Sequence, residues 1–213
     1  MQTLQTRTSR MVWNRLSSAR GGQAITLAAL GGAGMVRPSR AQDGTPEAPF
    51  AAPVDVINYA LTLEHIEATF YRGVEEFTVA DFEALGYQAG VRDRILVIGE
   101  HEATHVEALT AVVEQLEGEP VEEAEYDFGY TDLTSYLATA AVLEGVGVSA
   151  YGGAAQYLQG ENALLTAALT IHGNEARHAA YLNLVTGANP FPDAFNAPLT
   201  PAEVLEIATP FFV

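Results

Sequence analysis

The stretch "GEHEATHVEALTAVV", Gly99 to Val113, combines two features that seldom share a helix. Its apolar residues recur at helical spacing, as they do on a helix with a buried stripe. Yet Glu100, His101, Glu102 and His105 crowd into the same two turns. Residues three, four and seven apart lie on one helical face. For Glu102 these neighbours are Ile95, Ile98, Gly99, His105, Val106 and Leu109, an apolar surface broken by one imidazole. For Glu100 they include Asp93, Thr104 and Glu107, so Glu100 belongs to the wet side. The stretch predicts a helix that turns a glutamate and a histidine toward a core.

The same test places a glutamate on the apolar face of every other long helical segment. Glu144 has Leu137, Ala140, Ala141, Gly147, Val148 and Tyr151 as neighbours. Glu175 has Ala168, Ile171, His172, His178, Ala179 and Leu182, and Glu64 has Ile57, Ala60, Leu61, Glu67, Ala68 and Tyr71. An isolated carboxylate on a buried face costs about several kcal/mol and tends to neutralise instead. Four converging carboxylates are chemically reasonable around cations, because their charge balances two divalent metal ions. Neutral His105 and His178, each three residues after a glutamate, would complete the coordination. One Glu from each of two helices, with Glu-x-x-His from each of the other two, is the pattern of di-metal carboxylate bundles.

Internal repetition supports this arrangement. "LEHIEATFYRG" from Leu63 matches "LEGVGVSAYGG" from Leu143, aligning Glu64 with Glu144, Tyr71 with Tyr151 and Gly73 with Gly153. "IGEHEATHVEAL" from Ile98 matches "IHGNEARHAAYL" from Ile171, aligning Glu102 with Glu175 and His105 with His178. All six proposed ligands fall at equivalent places in two similar hairpins. Glu67 passes the face test too, but its counterpart is Gly147, which makes it a neighbour of the ligands or of an adjacent helix. His65, His101 and His172 lack equivalents and read as surface groups or as groups beside the ligands. Tyr71 and Tyr151 suit either core packing or a hydrogen bond to a ligand.

Periodicity and stop signals predict helices over about 54–77, 91–117, 131–158 and 162–185. A short acidic piece lies near 81–85 and a helical turn or two near 201–208. No segment reads as a strand, so the expected class is all-α. The segment "EPVEEAEYDFGY", Glu119 to Tyr130, is far longer than an antiparallel hairpin requires. Twelve extended residues reach about 40 Å, roughly the length of the helices themselves. The segment is therefore expected to climb the height of a bundle built from two hairpins with one long crossover.

Composition bounds the function. There is no cysteine, which excludes disulfides, thiol nucleophiles and iron–sulfur clusters, and there is no lysine. From Asp43 onward the chain carries four arginines against 27 acidic residues, a balance of 4 − 27 = −23. A field of that sign opposes nucleic-acid binding. Residues 1–41 differ: Arg7, Arg10, Arg15 and Arg20 precede the apolar run "AITLAALGGAGMV" and the small residues Ser39 and Ala41. This reads as an export signal, with an exported location for the remainder. The expected organisation is a signal over 1–41, a linker over 42–53, the bundle over 54–186 and a Pro-rich extension over 187–213. No membrane span is expected after the signal.

The segments "ALTLEHIEATFY", "HEATHVEAL", "YTDLTSYLATAAVLEGVGVSAYGGA" and "NEARHAAYL" resemble ferritin-like domain proteins, including the desiccation-related ones. The likeness covers about Asp55 to Thr186. It implies a ferritin-like four-helix bundle, often exported, with a di-iron or di-manganese centre. By that resemblance Glu64, Glu102, His105, Glu144, Glu175 and His178 are the metal ligands, with Glu102 and Glu175 bridging. Three functions fit: a redox protein whose two Fe or Mn ions meet O2 or peroxide, an iron-binding or storage protein that assembles as a homo-oligomer, and a metal-free protective or interaction bundle.

Overall fold

A computed structural model describes residues 49–213; the expected export signal over 1–41 and most of the linker lie outside the described residues. Helix α1 spans Pro53–Arg72 and continues as a 3-10 turn, Gly73–Glu76. The short α2 spans Val79–Ala84, and α3 spans Val91–Gln115. After the crossover come α4, Leu133–Ala154, with a 3-10 extension Ala155–Leu158, and α5, Asn162–Val185. Helix α6, Pro201–Ala208, closes the chain with a last 3-10 turn, Thr209–Phe211. Among the described residues there is no strand, only an isolated antiparallel bridge between Tyr126 and Phe212. The architecture is all-α: two long helical hairpins joined by one long crossover.

Local chemistry sets the helix boundaries. Asp132 caps α4, its Oδ1 accepting from Ser135 N at 2.7 Å, and Thr200 with Glu203 forms a capping box on α6. Gly90 leads into α3 with φ of 84°, a conformation that suits glycine. At the far end of α3 the residue in the left-handed region is Glu117, with φ of 57°. Gly118 serves close approach: a Cβ there would lie 2.5 Å from Val54 Cγ2.

The crossover follows the expected path, and hydrogen bonds trace it along α1. Asn58 near the start of α1 donates to Glu119 O and accepts from Val121 N, both at 2.9 Å. His65 Nε2 meets Val121 O at 3.1 Å, Arg72 pairs with Glu123, and Tyr130 OH donates to Glu76 Oε1 at 3.0 Å. The chain thus rises from one end of the bundle to the other before α4 begins. At the top, Phe70 stacks on Tyr136 with ring centroids 4.5 Å apart, and Phe128 and Tyr130 pack edge-on against Phe70. This aromatic layer closes that end of the core.

The C-terminal extension repeats the role of the crossover. As the crossover lies on α1, residues after α5 lie on α4: Leu199 N donates to Ser149 O at 3.1 Å. The repeat glycines are the contact points. Tyr130 packs on Gly73, and Leu199 packs on Gly153, where a Cβ would meet Leu199 O at 1.8 Å. The two returning segments then join, Asp127 N donating to Phe211 O at 2.8 Å and Val213 N to Glu125 O at 3.1 Å. Leu133–Leu158 is long and apolar enough to cross a membrane by composition, a test that a core helix of a bundle also meets. Here it is the most apolar of the four packed helices and carries Glu144 in its buried face.

Two glycines of α4 give a paired test of this packing. Gly153→Ala is expected to lower the unfolding free energy by about 1–3 kcal/mol, because the carbonyl of Leu199 must move. Gly145 is exposed, and a Cβ there would meet nothing within 4 Å, so Gly145→Ala should be neutral or stabilise by about 0.5–1 kcal/mol. Urea unfolding of the two variants checks both signs.

Candidate metal centre

Four helices each deliver one glutamate to the middle of the bundle. Glu64 comes from α1, Glu102 from α3, Glu144 from α4 and Glu175 from α5, and all four have no exposed surface. His178 is buried beside them, and His105 is 12% exposed at its side chain. The glutamates have apolar neighbours on their own helices, so burial of each stripe carries its carboxylate inward. Glu100 faces solvent, as its helix position requires.

The six side chains gather into two overlapping groups. One holds Glu64, Glu102, His105 and Glu175; the other holds Glu102, Glu144, Glu175 and His178. In each group, one nitrogen or oxygen from every residue lies within 4.8 Å of the others. Glu102 and Glu175 belong to both, the place of bridging ligands. His105 Nδ1 lies 2.9 Å from Glu102 Oε2 and 3.1 Å from Glu64 Oε2. His178 Nδ1 lies 2.9 Å from Glu102 Oε1 and 3.3 Å from Glu144 Oε2.

The outer oxygens of the non-shared glutamates are anchored crosswise. Tyr71 OH donates to Glu144 Oε1 at 2.5 Å, and Tyr151 OH donates to Glu64 Oε1 at 2.5 Å. The tyrosine of each half thus holds the glutamate of the other half. Both tyrosines are also buried in the core, so the two roles read in the sequence, core packing and a hydrogen bond to a candidate ligand, coincide. The inward atoms are different. Glu102 Oε1, Glu144 Oε2, both oxygens of Glu175 and His178 Nδ1 are buried without an aligned hydrogen-bond partner among the described residues. Buried polar atoms are normally satisfied, so a group of unsatisfied ones in one place calls for a ligand. Carboxylate oxygens and imidazole nitrogens are the donor set that suits iron, manganese and similar divalent cations.

The ferritin-like domain matches residues 52–188. The chain belongs to the ferritin-like domain family. No curated protein matches it. The family and the buried Glu/His cluster together are compatible with metal binding.

Two features of this ferritin-like centre were not separable in the sequence. Glu67 is buried and reaches toward Gly147, its counterpart in the repeat. A Cβ on Gly147 would lie 3.1 Å from Glu67 Oε1 and 3.3 Å from Glu175 Oε2. The missing side chain in one half therefore leaves room for the extra carboxylate of the other. Among the three unmatched histidines, only His101 meets a candidate ligand: its Nδ1 is 2.9 Å from His178 Nε2. His65 binds the crossover instead, and the buried His172 Nε2 has no hydrogen-bond partner among the described residues.

Without cations the cluster is electrostatically unbalanced. Burial raises the Glu64 carboxyl from 4.5 to about 8. Burial, then repulsion from neighbouring carboxylates, also pushes Glu67, Glu144 and Glu175 well above the ordinary range. Burial alone would raise Glu102 as well, but His105 and His178 on either side hold it down at about 2. Burial would lower His105, yet the hydrogen bonds it donates to Glu102, Glu175 and Glu64 push it up to about 12.

These shifts fix the pH dependence of the metal-free protein. The raised carboxyls bind more protons in the native state than in the unfolded chain, so native stability falls as pH rises from about 4.5 to 8. His105, protonated in the native state well above its ordinary value of 6.5, acts in the same direction at higher pH. Glu102 contributes stability above its ordinary value that is lost as pH falls toward 2. Calorimetry in the presence of a chelator should therefore show Tm declining from pH 5 to pH 8. Divalent cations should reverse most of that decline, because they replace the protons. A Tm independent of pH across this window would contradict the electrostatic account.

Proposed function

We propose that this protein is an exported metal-binding protein that holds two iron or manganese ions between its four long helices. Glu64, Glu102, His105 and Glu175 would form one position, and Glu102, Glu144, Glu175 and His178 the other. The observation that carries this reading is the set of unsatisfied carboxylate and imidazole atoms grouped inside an otherwise apolar bundle. Six side chains from four helices, two of them shared, supply four carboxylates, whose charge matches two divalent ions.

Bound there, Fe(II) or Mn(II) would supply electrons for reaction with O2 or peroxide. The residues of the chain have separate tasks. Glu102 and Glu175, which belong to both groups, would be shared by the two ions. Tyr71 and Tyr151 fix Glu144 and Glu64 through their outer oxygens and leave the inner ones for coordination. The aromatic layer around Phe70 keeps bulk water from one end. This combination supports iron oxidation or peroxide defence under stress. The basic and apolar leader supports an exported location, and the acidic body supports solubility there.

Elemental analysis of protein purified without added metal tests the reading. About two iron or manganese ions per chain are expected, with raised Tm on binding. Glu175→Ala and His105→Ala should lose metal, whereas Glu100→Ala should not. Fewer than about 0.2 metals per chain, together with no stabilisation by Fe(II) or Mn(II), would leave the metal-free protective bundle as the reading. With metal present, O2 consumption by added Fe(II) supports iron oxidation, and O2 release from peroxide supports peroxide defence.

A further inference from the structure

The two proposed cation positions differ in how their histidines are held. In the internal repeat His101 corresponds to Asn174, each directly before a shared glutamate. Both side chains turn to the same histidine. His101 Nδ1 is 2.9 Å from His178 Nε2, and Asn174 Nδ2 is 2.8 Å from that atom. The rings of His101 and His178 stack, with centroids 5.2 Å apart and planes 14° from parallel. His105 has no such support: among the described residues no hydrogen bond reaches its Nε2.

A histidine nitrogen that binds a cation must present a lone pair, so the ring proton belongs on the other nitrogen. For His178 the inward atom is Nδ1, which places the proton on Nε2 and requires an acceptor there. Asn174 presents N–H there and so cannot accept that proton; when Nε2 carries it, the Asn174 N–H must turn to His101 Nδ1, 3.3 Å away, while Asn174 Oδ1 accepts from Arg177. His101 Nδ1 is the acceptor within reach, with its own proton on the outward Nε2. We propose that His101 is a positioning residue that orients His178 and so makes the position of Glu102, Glu144, Glu175 and His178 the first to fill. This inference rests on the reading of the cluster as a metal centre.

On the inner side the two histidines are alike: His178 Nδ1 lies 2.9 Å from Glu102 Oε1, and His105 Nδ1 lies 2.9 Å from Glu102 Oε2. The difference lies on the outer side, where among the described residues only His178 is contacted, by His101 and Asn174. Partners behind a metal-binding histidine typically change affinity by about 10–100-fold.

The test is a titration of the full, metal-stripped chain with Co(II), followed by calorimetry and visible absorption. The wild type is expected to take up two equivalents in separate steps. His101→Ala should weaken the first step by about 10–100-fold and leave the second in place. His101→Gln, whose Oε1 accepts the same hydrogen bond, should recover most of that loss. His105→Ala should keep the first step and lose the second. His101 is exposed, so the Tm of the metal-free variants should match the wild type. If His101→Ala leaves both steps unchanged or weakens both equally, the bracing role is wrong while the metal centre stands. If the wild type takes up no Co(II), the metal centre itself fails, and this inference with it.

Discussion

Glu102 and Glu175 face each other across the middle of the bundle, shared by two groups of candidate ligands and removed from water. A carboxylate in that place cannot be stabilised by packing, because burial penalises its charge whatever surrounds it. It needs protons, imidazolium or metal cations. The other parts of the centre answer to this constraint. Two histidines flank Glu102, two tyrosines tie the outer oxygens of Glu64 and Glu144, and the apolar stripes of four helices enclose the group. The fold is the means by which six polar side chains are brought together against the tendency of each to stay in water.

The repeat explains how one chain does this with so few distinct parts. Each hairpin contributes a tyrosine-bearing helix and a Glu-x-x-His helix, and each is followed by a segment that lies back over the tyrosine-bearing helix. Gly73 and Gly153 mark those crossings, one receiving Tyr130 and the other Leu199. Symmetry then breaks where chemistry differs. Glu67 occupies the space that Gly147 leaves, and His101 and Asn174 both contact His178. A bundle assembled from two like halves can therefore hold two unlike positions.

Much of this was legible in the sequence, for reasons that also explain what was not. The helices, the long crossover and the six inward side chains follow from periodicity, because a glutamate among apolar neighbours at three, four and seven residues has one face to occupy. The pairing of Glu64 with Glu144 and of His105 with His178 follows from the repeat. Contacts between distant segments leave no such trace. Nothing in "FPDAFNAPLTPAEVLEIATPFFV" announces that it copies the crossover, since its partner is a backbone surface exposed by Gly153. The contact of His101 with His178 joins α3 to α5, and its position on α3 alone suggests the solvent side. The left-handed residue at the end of α3 was likewise hidden, because Glu117 takes a conformation usually given to glycine.

In the proposed function, cations bound between Glu102 and Glu175 would hold this core together. X-ray diffraction at the iron and manganese absorption edges, from crystals of protein never supplemented with metal, addresses it directly. Two anomalous peaks are expected inside the bundle, one beside His105 and one beside His178, with Glu102 and Glu175 reaching both. An ordered core with no anomalous signal, its glutamates hydrogen-bonded to one another or to water, would contradict it.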